Sequence, residues 1–251
     1  MSSAGALRNK QVIHGLWSIT GNHAVIDTAS SAGPDFIVVD TQHGIDLGQV
    51  DASLLTVMDG YGVAGLIRVE AIDLGRIGRA LDLGAAGIVV PLVASADDAA
   101  RAVHAARHAP RGGRSFGMQT RRVGPFDEKP YVVIQVETAG AITEIGAIAA
   151  VDGVDGLYIG PADLGLGLGG KPALDVNDVF DGTHELAGEL AAAFDAVIEA
   201  AGANGVVPGL HCGNGASAAR AVAEGFRMTS VAVDLGLIGT GLREQLEIAR
   251  G

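Results

Sequence analysis

Eight short runs rich in β-branched residues, each followed by an Ala-rich stretch of helical periodicity, constrain this chain more than any other feature. The runs cover residues 12–19, 36–41, 65–70, 87–93, 131–137, 156–161, 206–212 and 227–234. Several are apolar almost throughout, as in Phe36-Ile37-Val38-Val39 and Ile88-Val89-Val90. Strands buried on both faces read this way, and such strands belong to parallel sheets covered by helices. Helical patterns lie between the runs, over 97–108, 141–150, 184–201 and 216–224. Alternating strand and helix signals predict an α/β fold. Eight such units in 251 residues predict one (β/α)₈ TIM barrel, a single domain over 1–251. The rival, an open doubly wound sheet, calls for a Gly-rich phosphate turn after its first strand. Thr20-Gly21-Asn22-His23 stands there instead.

Charge and cysteine content narrow the function classes. There are 17 Lys and Arg against 29 Asp and Glu, a formal charge of −12. That balance argues against nucleic acid, whose phosphates need clustered Lys and Arg, and against anionic membrane surfaces. The charge-free apolar stretch 84–96 is too short to span a bilayer and contains Pro91. Cys212 is the only cysteine, so an intrachain disulfide and a Cys-rich zinc site are both excluded. The first ten residues carry no apolar secretory segment, and a cytoplasmic protein is the expectation.

In a (β/α)₈ barrel, chemistry sits at the C-terminal ends of the strands. There the sequence places Asp40-Thr41-Gln42-His43-Gly44, then Arg68 and Glu70, then Gln135 and Glu137. Further on come Gly160-Pro161-Ala162-Asp163, His211-Cys212 and Asp234. Polar groups at the ends of buried strands are costly unless paired or used. Glu137 and Asp163 follow consecutive strands, which lie about 4.8 Å apart. Each could cap a helix; as a pair they suit a hard divalent ion, which takes one or two carboxylates plus waters and substrate oxygens. His43 follows a buried strand and is a candidate acid/base, or else a structural histidine. Arg68, inside an apolar strand, needs an anion: a substrate oxygen, or Asp40 or Glu70. Cys212 reads as a small buried residue. No G-x-S-x-G nucleophile elbow and no Walker A phosphate loop is expected. Two long connections, 109–130 and 165–182, are candidate lids or subunit contacts.

Five stretches make the sequence resemble a known family. They are Val38-Val39-Asp40-Thr41-Gln42-His43-Gly44, Ile67-Arg68-Val69, Leu81-Asp82-Leu83-Gly84-Ala85-Ala86-Gly87-Ile88-Val89-Val90-Pro91, Gln135-Val136-Glu137-Thr138 and Gly153-Val154-Asp155-Gly156-Leu157-Tyr158-Ile159-Gly160-Pro161-Ala162-Asp163-Leu164. Together, with Gly15-Leu16-Trp17 at one end and the last helix at the other, they are similar to the HpcH/HpaI aldolases, the class II metal-dependent pyruvate aldolases. The resemblance implies a TIM barrel assembled as a homohexamer, a trimer of dimers that exchange the last helix. It implies Mg²⁺, Mn²⁺ or Co²⁺ on Glu137 and Asp163. It implies catalysis by His43, supported by Asp82, and by Arg68 on the enolate. Gln135, Gly160, Pro161, Ala162 and Asp163 would contact substrate, with Asp40 and Gln42 standing behind. Many members carry Glu where this chain has Gln42.

The activity so implied is reversible cleavage of 4-hydroxy-2-oxo acids to pyruvate or hydroxypyruvate and an aldehyde, through a metal-stabilised enolate. Two alternatives stay open. A citramalyl- or malyl-CoA-type lyase would need positive charge for CoA, which Arg111, Arg114, Arg121 and Arg122 could supply. A non-catalytic 2-oxo-acid-binding pseudoenzyme would account for Gln42. In the last helix, Leu237, Ile238, Leu242, Leu246 and Ile248 fall near helical spacing. They would bury against the chain's own barrel or a second copy.

Overall fold

Each of the eight apolar runs forms a strand, and each strand stops where its run turns polar or bends away. The strands are β1 (Ile13–Ser18), β2 (Phe36–Asp40), β3 (Ala64–Arg68), β4 (Gly87–Val90), β5 (Tyr131–Val136), β6 (Gly156–Ile159), β7 (Val207–Leu210) and β8 (Met228–Val233). All pair in parallel in sequence order, and β8 pairs with β1, so the sheet closes into a barrel. This is the (β/α)₈ fold expected from the alternation. The computed structural model describes residues 3–45, 51–117 and 129–251.

The helices described are α1 (Ser3–Arg8), α2 (His23–Ser31), α3 (Ala52–Gly60), α4 (Leu74–Asp82), α5 (Ala96–Ala106), α6 (Ala139–Thr143), α7 (Ile145–Ala149), α8 (Pro161–Gly167), α9 (Val176–Phe180), α10 (Ala187–Asn204), α11 (Gly215–Glu224) and α12 (Asp234–Arg250). The single helix expected over 141–150 is two short ones, α6 and α7, meeting at Glu144. The Glu144 carboxylate accepts the Ala96 N–H at the start of α5, which ties this junction to its neighbour. No described helix is long and apolar enough to cross a membrane.

Two apolar layers result from strands whose side chains alternate between faces. Ile37, Val39, Ile67, Ile88, Val90, Ile134 and Leu157 face the helices. Phe36, Val38, Leu66, Val133, Tyr131, Tyr158 and Met228 fill the barrel. Room for these rings comes from neighbouring glycines: a Cβ on Gly209 would stand 2.5 Å from Tyr158 Cδ2. Helix α1 plugs the N-terminal end with Ala4 and Leu7. There Arg8 clamps Asp155 at 2.7 and 2.8 Å and the carbonyls of Lys129 and Pro130.

Two expectations change. The connection 109–130 runs from the end of α5 to the start of β5, so its described part lies at the barrel's N-terminal end and is no lid over the strand ends. Arg111 and Arg114 are there; Arg121 and Arg122 lie outside the described residues. The stretch 165–182 does follow β6, and it holds the end of α8 and all of α9. Helix α12 leaves Leu237, Ile238, Leu242 and Ile248 exposed, Ile248 by 74 %. It does not bury that stripe on its own barrel.

Candidate active site

The strand register sets Asp40 beside Arg68. Both are buried, with side chains 0 % and 7 % exposed. The guanidinium meets the carboxylate as a fork: Nε donates to Oδ1 at 2.9 Å and Nη2 to Oδ2. Asp40 also accepts the Trp17 indole N–H at 3.2 Å and the backbone N–H groups of Gln42 and His43 at 2.9 and 3.1 Å. Burial works to raise its pKa, but the Arg68 bonds and charge, with the other donors, hold it below the ordinary value. The structural partner foreseen for Arg68 is therefore real, and it is Asp40; Glu70 pairs with Arg76. Nη1 lies outside both bonds and stays available at the strand ends. The His43 side chain is exposed, and among the described residues only its backbone is engaged.

Glu137, just past β5, is buried but poorly partnered. Oε1 accepts the Leu92 N–H at 2.6 Å, while Oε2 is sealed from solvent with no partner among the described residues. Leu92 donates from a left-handed conformation, φ 56°, uncommon for a residue with a side chain. Burial, opposed by the Leu92 N–H and aided by the charge of Asp163, pushes Glu137 up to about 7, with Arg68 pulling the other way. The oxygen of Gln135 is likewise buried without a partner among the described residues, as is that of Gln42. Gly160 lies against this group: a Cβ there would be 2.8 Å from Gln135 Nε2 and 3.0 Å from Glu137 Oε2. Glycine keeps the cradle open.

Neither carboxylate caps a helix. Thr138 caps α6 through its hydroxyl, and α8 begins at Gly160 with no side-chain cap. Pro161 takes the first helical position, and Asp163 lies exposed in the first turn. Unpartnered buried oxygens on Glu137 and Gln135, beside an exposed carboxylate, fit a hard divalent ion that keeps water or substrate oxygens in its shell. No cage of three or more His, Cys, Asp or Glu exists among the described residues. The donor set thus suits an ion shared with substrate rather than a closed structural site.

Sequence reasoning missed a cross-barrel aromatic group. Arg68 lies over the Trp17 ring, 5.0 Å from its centroid. Tyr158 stacks on Trp17 at 5.6 Å, and His211 meets Trp17 edge-on at 5.0 Å. His211 Nδ1 is 3.3 Å from the Ser230 hydroxyl and 3.5 Å from that of Tyr158. Burial and the charge of Arg68, opposed by Asp40, push His211 down to about 4. These residues come from β1, β6, β7 and β8, and their sequence separations leave no local pattern. The one available signal was a tryptophan and a tyrosine at inward strand positions.

Other expected residues go elsewhere. Asp82 ends α4, at the opposite end of the barrel from His43, and it pairs with Arg114 at 2.7 Å. Within one chain it cannot support His43, because α4 runs antiparallel to the strands. Asp234 is a clamp between β8 and β1, accepting from the Ser18 and Thr20 hydroxyls and from the Ile19, Thr20 and Leu235 N–H groups. Cys212 is buried, and burial with the charge of Asp175 pushes its thiol up to about 12, unlike a nucleophile. Gly113-Arg114-Ser115-Phe116-Gly117 spells the G-x-S-x-G of hydrolases, but it follows α5 instead of a strand and forms no elbow.

Comparison with known proteins adds an independent line. The family described as HpcH/HpaI aldolase/citrate lyase matches residues 14–239. A hydroxypyruvate/pyruvate aldolase of Rhizorhabdus wittichii is 35 % identical over 224 residues, covering 86 % of this chain and 85 % of its own. A 4-hydroxy-2-oxo-heptane-1,7-dioate aldolase of Salmonella dublin is 30 % identical over 239 residues, covering 90 % and 86 %. The crystal structure of an HpcH/HpaI aldolase/citrate lyase family protein from Burkholderia cenocepacia superposes with a TM-score of 0.86 at 28 % identity, over 99 % of this chain and 98 % of that one.

Proposed function

Because this chain belongs to the HpcH/HpaI aldolase/citrate lyase family, we propose that it is a carbon–carbon lyase, a pyruvate aldolase. It reversibly cleaves 4-hydroxy-2-oxo acids to pyruvate, or hydroxypyruvate, and an aldehyde. The observation that carries this reading is the pair of buried, partnerless oxygens on Glu137 and Gln135 beside the Arg68 fork. Buried acceptors without a partner are few in a fold, and two of them side by side at the strand ends call for something that completes them.

Glu137 and Asp163 would hold Mg²⁺, Mn²⁺ or Co²⁺, and Gln135 stands next to them. Such an ion, when bound, acts as a Lewis acid on the developing enolate charge. Arg68 turns its Nη1 toward the 2-oxo oxygen, held in aim by Asp40 and Trp17. A preorganised donor of this kind stabilises charge where it forms. His43, exposed at the end of β2, takes the C4 hydroxyl proton. The C3–C4 bond then breaks, its electron pair passes to the enolate, and the aldehyde leaves. Protonation at C3 gives the oxo acid, and synthesis reverses these steps. The N–H groups of Ala162 and Asp163, in the first turn of α8, suit the substrate carboxylate, since such groups have no partner within a helix. Asp82 has no role within one chain.

We also propose a cytoplasmic homohexamer, a trimer of dimers in which α12 lays its exposed stripe on a second copy. Sedimentation at the mass of six chains would bear this out, and a monomer would sink it. Arg111 and Arg114 lie away from the strand ends, so two of the four arginines that a CoA-type lyase reading relied on do not serve it; Arg121 and Arg122 lie outside the described residues.

The test is proton–deuterium exchange at the pyruvate methyl group, followed by NMR with Mn²⁺ and then with EDTA. Exchange that requires the metal is the expected result. Pyruvate binding without exchange would turn the reading to a pseudoenzyme.

A further inference from the structure

We propose that His211 is a specificity-determining residue, a neutral imidazole whose Nε2–H donates to an uncharged oxygen, typically a hydroxyl, on the aldehyde half of the substrate. This rests on the aldolase reading and deepens it.

The tautomer belongs to the proposal and fits the groups around Nδ1. Ser230 Oγ accepts the Cys212 N–H at 2.9 Å and donates to the Cys212 carbonyl at 2.8 Å. A hydroxyl oxygen has two lone pairs, so Ser230 has room for one further donor. A protonated Nδ1 would give its hydrogen to that place or to the Tyr158 oxygen, the longer of its two contacts. With Nδ1 bare, the Tyr158 hydroxyl donates to it at 3.5 Å and every donor finds an acceptor. The ring proton then sits on Nε2. That nitrogen lies on the edge of the ring away from Nδ1 and has no partner among the described residues. It is not sealed from solvent, unlike His184 Nε2.

The placement follows from the barrel. His211 sits just past β7, and its N–H is anchored to the Ile159 carbonyl at 3.0 Å. From there its ring reaches Trp17 on β1, Tyr158 on β6 and Ser230 on β8, which it can do only through the interior at the strand ends. The charged oxygens of the oxo acid have Arg68 and the cation that Glu137 and Asp163 would hold. Along the arc from β7 through β8 to β1 the described residues place no cation at the strand ends, and the carboxylate there, Asp234, is taken up by the hydroxyls and N–H groups of the β1 clamp. A neutral donor on an arc without a cation favours a hydroxyl over a second carboxylate.

Glycolaldehyde and propanal test this directly, being near-isosteres that exchange a hydroxyl for a methyl. The readout is the ratio of their kcat/KM values with pyruvate as donor. In His211→Leu, the preference for glycolaldehyde should fall roughly 3- to 10-fold, the size of one neutral hydrogen bond. Metal-dependent pyruvate exchange should be unchanged. His211→Gln, which keeps an N–H near the same place, should restore most of the ratio. An unchanged ratio, or equal losses for both aldehydes, overturns the proposal. Should His211→Leu fail to fold, Tyr158→Phe removes the hydroxyl that sets the tautomer and should lower the same ratio; an unchanged ratio there overturns the proposal as well. Absence of exchange in the unaltered protein would overturn the aldolase reading, and this assignment with it.

Discussion

Two buried carboxylates face the same barrel mouth and are treated in opposite ways. Asp40 has five donors: two from Arg68, the Trp17 indole, and two backbone N–H groups. Glu137 has one, from Leu92, and an oxygen with none. The pKa directions follow, with Asp40 held down and Glu137 pushed up to about 7. The fold itself completes Asp40, which therefore acts as scaffold for Arg68. It leaves Glu137 incomplete, which is what a group meant for a ligand requires. Part of the cost appears as strain, since Leu92 adopts a left-handed φ to supply its single bond.

Breaking the completed side should have the largest effect. Arg68→Ala strands a buried Asp40 charge, and removing one partner of such a pair costs about 3–5 kcal/mol. Urea unfolding should show that loss, and pyruvate exchange should fall to background. Exchange that persists would separate Arg68 from the enolate. Next in size is His43→Ala, on the one side chain of this side that is left exposed. Loss of a general acid/base lowers turnover by roughly 10²- to 10⁴-fold, with stability nearly unchanged because only the His43 backbone is engaged. Turnover close to the original would remove His43 from that role.

The incomplete side should respond in the opposite sense, and more gently. In metal-free protein, Glu137 has a folded-state pKa above its unfolded one. Its contribution to stability is therefore present below about 4.5 and is lost as pH rises through about 7. Glu137→Gln has no such slope. Above pH 7 the metal-free variant should be the more stable, by roughly 1–3 kcal/mol, while losing metal affinity. Urea midpoints across pH, paired with Mn²⁺ titration, would check both. A variant less stable than the original at high pH would contradict the view of Glu137 as unsatisfied.

Much of the site was legible beforehand. His43, Arg68, Glu137 and Asp163 sit at strand ends because polar residues closing apolar runs have few other places to go. Asp82 is not brought to His43 within one chain. Its motif neighbours β4, but helix α4 carries it to the far end, where Arg114 claims it. Asp234 looked like a site residue and is a seam clamp, because the closure of β8 on β1 surrounds it with donors.

What the amino-acid order determined by itself was the alternation of strand and helix, and with it the barrel and the end at which chemistry sits. These are local properties: a strand has period two, a helix period 3.6, and eight such units close. Only the tertiary structure decided which side chains meet inside. Trp17, Tyr158 and Ser230 lie on three strands far apart in sequence, His211 lies just past a fourth, and Leu92 turns left-handed to reach Glu137. Contacts across a barrel depend on closure and on the space that glycines leave, and neither is written in any local window of residues.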